Sequence, residues 1–81
     1  MINVLFFASY REKLGCESLQ LQEHPTSLSA LRTLLAGRGQ AWQEVMDDQR
    51  VLVALNQAMT RRDAALNDGD EVAFFPPVTG G

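Results

Sequence analysis

A single cysteine, a single lysine and a single histidine are spread over 81 residues, and each scarcity closes off a class of function. Cys16, alone, permits no intramolecular disulfide and no cysteine-built metal set. Beside a turn it reads as a small packing residue rather than a reactive thiol. His24 precedes Pro25 with no second His and no Cys at ligand spacing, so a surface or capping role is expected and metal binding is not. One His and one Cys also leave no Ser-His-Asp or Cys-His nucleophile set to assemble. Lys13 is the only lysine, and seven basic residues stand against ten acidic ones for a net charge of −3. That balance gives no basic face for nucleic acid. No apolar run approaches the roughly 20 residues that span a bilayer. Met1-Ile2-Asn3-Val4 lacks the charged segment and cleavage site of a signal peptide. The expectation is a soluble chain in the reducing cytoplasm, with neither membrane nor nucleic acid as partner.

What is present is an ordinary globular balance, 46% hydrophobic and 21% charged, in a chain long enough for one small core. Residues 2–8 are apolar at nearly every position and read as a strand buried on both faces, with Ile2, Val4 and Phe6 on one side and Leu5 and Phe7 on the other. Ser9-Tyr10-Arg11-Glu12 spells a capping box that opens a short helical turn, closed at Gly15. Residues 18–22 alternate polar and apolar, the mark of a half-exposed strand. Thr26 or Ser27 caps the main helix, whose Leu28, Leu31, Leu34 and Leu35 form one apolar stripe. Gly37 and Gly39 end it. The stretch from Ala41 to Met46 reads as a further helical turn, with Trp42, Val45 and Met46 packing at its margin.

Val51–Leu55 forms a third strand, Asn56-Gln57 a turn, and residues 58–60 a very short strand. After a Gly turn at Asp68-Gly69-Asp70, residues 71–75 form the last strand. Asp47-Asp48 and Asp68-Gly69-Asp70 lack EF-hand spacing and read as solvated turns. The first and last strands are the most apolar and should lie centrally, side by side. The order predicts an α+β chain, a mixed sheet of about five strands with one main helix crossing a single face. This is the β-grasp, or ubiquitin-like, arrangement.

The chain closes Phe74-Phe75-Pro76-Pro77-Val78-Thr79-Gly80-Gly81. Two prolines cannot donate to a ladder and favour an extended path, so residues 76–81 read as a tail projecting from a body of residues 1–75. Two residues without Cβ can thread a channel too narrow for any side chain. A stiff stalk with a slim tip and a terminal carboxylate reads as an arm for insertion into a partner.

These residues carry a family resemblance. Residues 68–81, the opening Ile2 to Ala8 with Arg11-Glu12, the Pro25-Thr26…Ala30-Leu31-Arg32 helix start and the Ala54-Leu55-Asn56-Gln57 turn are similar to the MoaD family, the small sulfur-carrier subunits of molybdopterin synthase. The resemblance spans essentially the whole chain; residues 37–50 add little to it. It implies that the carboxylate of Gly81 is adenylated by an ATP-using, MoeB-like enzyme of the ubiquitin-activator type. A persulfide sulfur donor then converts it to a thiocarboxylate. The tail, with Gly80 as its slim segment, would enter a MoaE-like large subunit and deliver sulfur to cyclic pyranopterin monophosphate, building molybdopterin for the molybdenum cofactor. Two carriers on a dimeric large subunit, a heterotetramer, follow from the same resemblance. The chain would be a sulfur-donating subunit, with catalytic residues in the large subunit, no bound cofactor and no metal. A thiamine-type sulfur carrier and a ubiquitin-related protein modifier are the alternatives.

Docking residues follow from the strand pattern. If the helix covers the face bearing Ile2, Val4, Phe6, Val72 and Phe74, then Phe7 and Phe75 lie on the uncovered face. Exposed aromatic and Met residues mark partner surfaces, so Phe7, Phe75 and the turn residue Met59 are the expected interface. Arg61-Arg62 reads as a solvated loop, with contact to an acidic partner as the alternative.

Overall fold

The computed structural model describes residues 1–77. The elements run β1 (Ile2–Phe6), α1 (Ser9–Leu14), β2 (Ser18–Leu21), α2 (Leu28–Ala36), α3 (Gln40–Asp47), β3 (Leu52–Leu55), β4 (Ala58–Thr60) and β5 (Glu71–Phe75). The five strands make one mixed sheet in the order β2-β1-β5-β3-β4. β1 and β5 are parallel neighbours at its centre, with Val4 opposite Val72 and Phe6 opposite Phe74. The other pairings are antiparallel. Both strands are flanked by neighbours on each side, but β1 is not buried on both faces as its apolar content suggested: buried and half-buried positions alternate along it, because the helices cover one face of the sheet only. This is the β-grasp sheet expected from the sequence.

Alternation along each strand sends Ile2, Val4, Phe6, Val72 and Phe74 into the core, where Leu28, Leu31 and Leu35 of α2 meet them. Phe6 stacks on Phe74 at 5.8 Å and meets the edge of Trp42 at 5.3 Å. The 41–46 stretch is a two-turn helix rather than a marginal turn, and Val45 and Met46, 1% and 4% exposed, sit in the same core. Two helices, not one, therefore cover the sheet face. The chain keeps α3 there through Arg32, which donates to the carbonyls of Met46 and of Asp48, the latter at 3.4 Å.

Ser27 is the N-cap of α2, its Oγ accepting from the Ala30 N–H at 3.1 Å. A second cap comes from a distant residue: Asp63 accepts from the Ser29 N–H at 2.9 Å and from its hydroxyl at 2.8 Å. These bonds hold the Asp63 carboxyl below its ordinary value of 3.8. The loop after β4 is thereby stitched to the start of α2, with Leu28 N–H donating to Ala64 O and Leu66 N–H to Thr26 O.

At α1 the capping box does not form. Ala8 is the N-cap, at φ 54°, and no side chain caps the helix. The sharp turn out of β1 takes the place that the Ser9 hydroxyl was expected to fill. Gly15 closes α1 in the left-handed region, φ 64°, as the sequence predicts. Asn56 and Gln57, at φ 51° and 70°, form a two-residue hairpin turn of the type that needs both central residues left-handed.

Candidate functional site

The face of the sheet away from α2 and α3 carries no covering element among the described residues. Register fixes its contents. Leu5 lies opposite Ala73, Ala73 opposite Ala54, and Ala54 opposite Met59, so one apolar row crosses four strands. A second row runs beside it. There Phe75 lies opposite Leu52, and the Phe7 ring stacks on Phe75 with centroids 4.6 Å apart and planes 8° from parallel. Phe7 is 39% and Met59 58% exposed, while Leu5, Leu52 and Phe75 are half-buried. Stacked rings facing water are a costly arrangement in isolation, since apolar surface is stabilised by leaving solvent. On this body they form a flat apolar platform beside the end of β5.

This platform sits at the root of the tail. β5 leaves the sheet at Phe75, and Pro76-Pro77 follow at once. Gly80 and Gly81, the residues expected to carry chemistry, lie outside the described residues. Phe7 and Phe75 are brought together; Met59 shares their face two strands from Phe75, and belongs to β4 rather than to the turn. Leu52 and Leu5 complete the patch, while Ala73 and Ala54, 4% and 6% exposed, form its floor. Leu52 escaped the sequence reading because β3 is apolar at every position, which hides which side chains face out.

The remaining polar groups hold the frame. At the opposite end of β5, Asp70 accepts from Asn67 N–H at 2.8 Å and Asn56 Nδ2 at 3.0 Å, which keeps its carboxyl below 3.8. The Asn56 side chain in turn accepts from the Glu71 N–H at 2.9 Å. Tyr10 donates to Asp48 at 3.2 Å, tying α1 to the end of α3. Cys16 donates weakly to the carbonyl of Ser18 at 3.2 Å. Among the described residues no group of His, Cys, Asp and Glu is spaced to hold a metal ion, and no helix is long and apolar enough to cross a membrane.

The geometry is that of a small body with one open apolar face, beside which the last strand ends at Phe75. The sequence profile of the ThiS family matches residues 4–81. The chain belongs to the ThiS family. Two curated members, from Haemophilus influenzae and Escherichia coli, are each 44% identical to it over 81 residues, covering all of both chains; each is described as a molybdopterin synthase sulfur carrier subunit. A solved complex of subunits 1 and 2 of the molybdopterin-converting factor from Helicobacter pylori contains a chain similar in fold. It has a TM-score of 0.71 and 27% identity over 99% of this chain and 97% of that one. The resemblance read from residues 68–81, the opening of the chain, the start of the main helix and the Ala54-Leu55-Asn56-Gln57 turn thus holds within the ThiS family.

Proposed function

We propose that this protein is the sulfur carrier subunit of a molybdopterin synthase. The observation that carries the reading is the full-length 44% identity to two such carriers, with no part of either chain left unmatched. The open face supports it. A carrier must be held by its body while its tail reaches elsewhere, and the Phe7–Phe75 platform stands where the tail begins. In this reading Phe7, Phe75 and Met59 dock on a MoaE-like large subunit. The body's binding energy then makes sulfur delivery effectively intramolecular.

The chemistry belongs to the carboxylate of Gly81, with Gly80 providing the slim approach. A carboxylate resists a sulfur nucleophile because oxide is a poor leaving group. A MoeB-like enzyme solves this by joining the carboxylate to the α-phosphoryl group of ATP and releasing pyrophosphate. The terminal sulfur of a persulfide donor then displaces AMP to give an acyl disulfide, and a thiol attacks the donor's sulfur, forming a disulfide with the donor and releasing the thiocarboxylate. The thiocarboxylate donates its sulfur to cyclic pyranopterin monophosphate, and water restores the carboxylate. ATP serves the activating enzyme, and the carrier keeps no cofactor of its own. A cytoplasmic setting suits a reaction that passes through reduced sulfur.

Removal of Gly80 and Gly81 tests the reading. Incubated with ATP, the activating enzyme and a sulfur donor, the intact chain should gain the mass of one sulfur in exchange for one oxygen, and the shortened chain none. Pterin sulfuration at the normal rate by the shortened chain would overturn the proposal. An isopeptide-linked product in place of the thiocarboxylate would identify a protein modifier instead.

A further inference from the structure

Although the chain is acidic overall, four of its six arginines gather in one groove. Arg32 comes from α2, Arg50 from the segment before β3, and Arg61 and Arg62 from the loop after β4. The stitching of that loop to the start of α2 by Ala64, Leu66 and Asp63 brings the three segments together. Asp63 is the only acidic residue on the lining, and its oxygens are taken by Ser29 and Ala64. Arg32 is committed to the end of α3 and Arg50 to Asp48 at 3.4 Å. Arg61 and Arg62 are exposed and make no side-chain hydrogen bond or ion pair among the described residues. The groove is thus a local positive potential on a chain of net charge −3, and its two most available guanidinium groups have no charge partner among the described residues.

Its position is the second observation. Leu52, opposite Phe75 where the tail leaves the sheet, lines the groove, and so does Met59. The groove therefore continues around the β3–β4 edge from the open apolar face. Its volume, about 710 Å³, is far larger than an inorganic phosphate needs and lies within the roughly 300–1,000 Å³ of sites that take larger ligands. Leu28, Leu52 and Met59 share its lining with the arginines, a mixture that suits a peptide better than a bare polyanion.

We propose that this arginine groove receives an acidic segment of the same protein that covers the open sheet face. The proposal rests on that face being the docking surface for the large subunit. Arg61 and Arg62 supply the charge that attracts the segment. Leu52 and Met59 make it continuous with the apolar contact, and the pairing fixes the rotation of the body so that the tail enters its channel. Opposite charges across an interface act chiefly on encounter and orientation.

The test is titration of the intact chain against purified large subunit at low and at physiological salt, with R61E/R62E and F75R alongside the natural sequence. R61E/R62E should bind about tenfold or more weakly at low salt and show a flatter salt dependence. F75R should bind more weakly at both salts with its salt dependence intact. Unchanged affinity and salt dependence in R61E/R62E, beside a weakened F75R, would overturn the groove proposal and leave the docking face standing. Unchanged affinity in F75R would remove the docking face and the groove proposal with it. A salt-sensitive dimer of the chain alone, abolished by R61E/R62E, would assign the groove to a second copy and overturn the proposal as well. If R61E/R62E does not fold, R61Q/R62Q replaces it, with the same direction of change and a smaller loss.

Discussion

Tyr10, the only tyrosine, is a direct probe of the packing between α1 and the end of α3. Burial first, then the charge of the Asp48 carboxylate that accepts its hydrogen bond, push its pKa up to about 12 from 10.0. Asp48 is itself held below 3.8, chiefly by the Arg50 N–H. A raised folded-state value means that the Tyr10 contribution to stability is complete below pH 10 and is lost as pH climbs toward 12. Phenolate absorbance after a rapid pH jump, read before unfolding, should therefore rise with a midpoint near 12. A midpoint at the ordinary tyrosine value would show that the ring is not held against Asp48. At this scale residue type is a mixed guide. Gly15 and Ser27 act as their residue types predict, because a left-handed closure and an N-cap are local demands. Ser9 does not cap α1, because the exit from β1 through Ala8 at φ 54° is imposed by where β1 must end.

Among the elements, α3 is the one the sequence undervalued. It has only eight residues, flanked by Gly39 and Asp48, and its apolar residues number too few to announce a core helix. In the fold, Val45 and Met46 are as buried as the leucines of α2. Met46→Ala should accordingly cost about 2–5 kcal/mol in urea unfolding, the range for a buried Met lost to a cavity. A loss below about 0.5 kcal/mol, as for an exposed site, would place α3 outside the core. The strands were more legible than the helices, since alternation and apolar content locate β1 and β5 without reference to anything distant. β3 shows the converse: apolar throughout, it gave no sign that Leu52 faces outward.

At the scale of the whole molecule, the proposed function has the body dock and the tail react, so the two parts should be separable. A chain lacking Gly80 and Gly81 should keep its docking face and compete with the intact carrier. It should inhibit sulfur transfer with an affinity for the large subunit within about tenfold of the natural chain, because central buried aromatics dominate such interfaces. Absence of inhibition at saturating excess would mean that the tail, rather than Phe7, Phe75 and Met59, supplies the binding energy. The arginine groove belongs to this scale too. Arg32, Arg50 and the Arg61-Arg62 pair are separated by 11 residues or more along the chain, and a net charge of −3 concealed their meeting. The expectation of a chain without a basic face holds for the total charge and fails for this groove.

Local residue patterns sufficed for the order of elements along the chain, the central pairing of β1 with β5 and the exposure of Phe7, because apolar content marks the inner strands and period-two alternation assigns faces within a single strand. It also carried the tail, whose character lies in consecutive residues. Only the tertiary structure decided that Phe7 would stack on Phe75, that Asp63 would cap a helix 34 residues away, and that arginines from three segments would share one groove. Those facts depend on register between strands and on loops returning to a helix end. Both are set by the packing of the whole core, which no local stretch of residues contains.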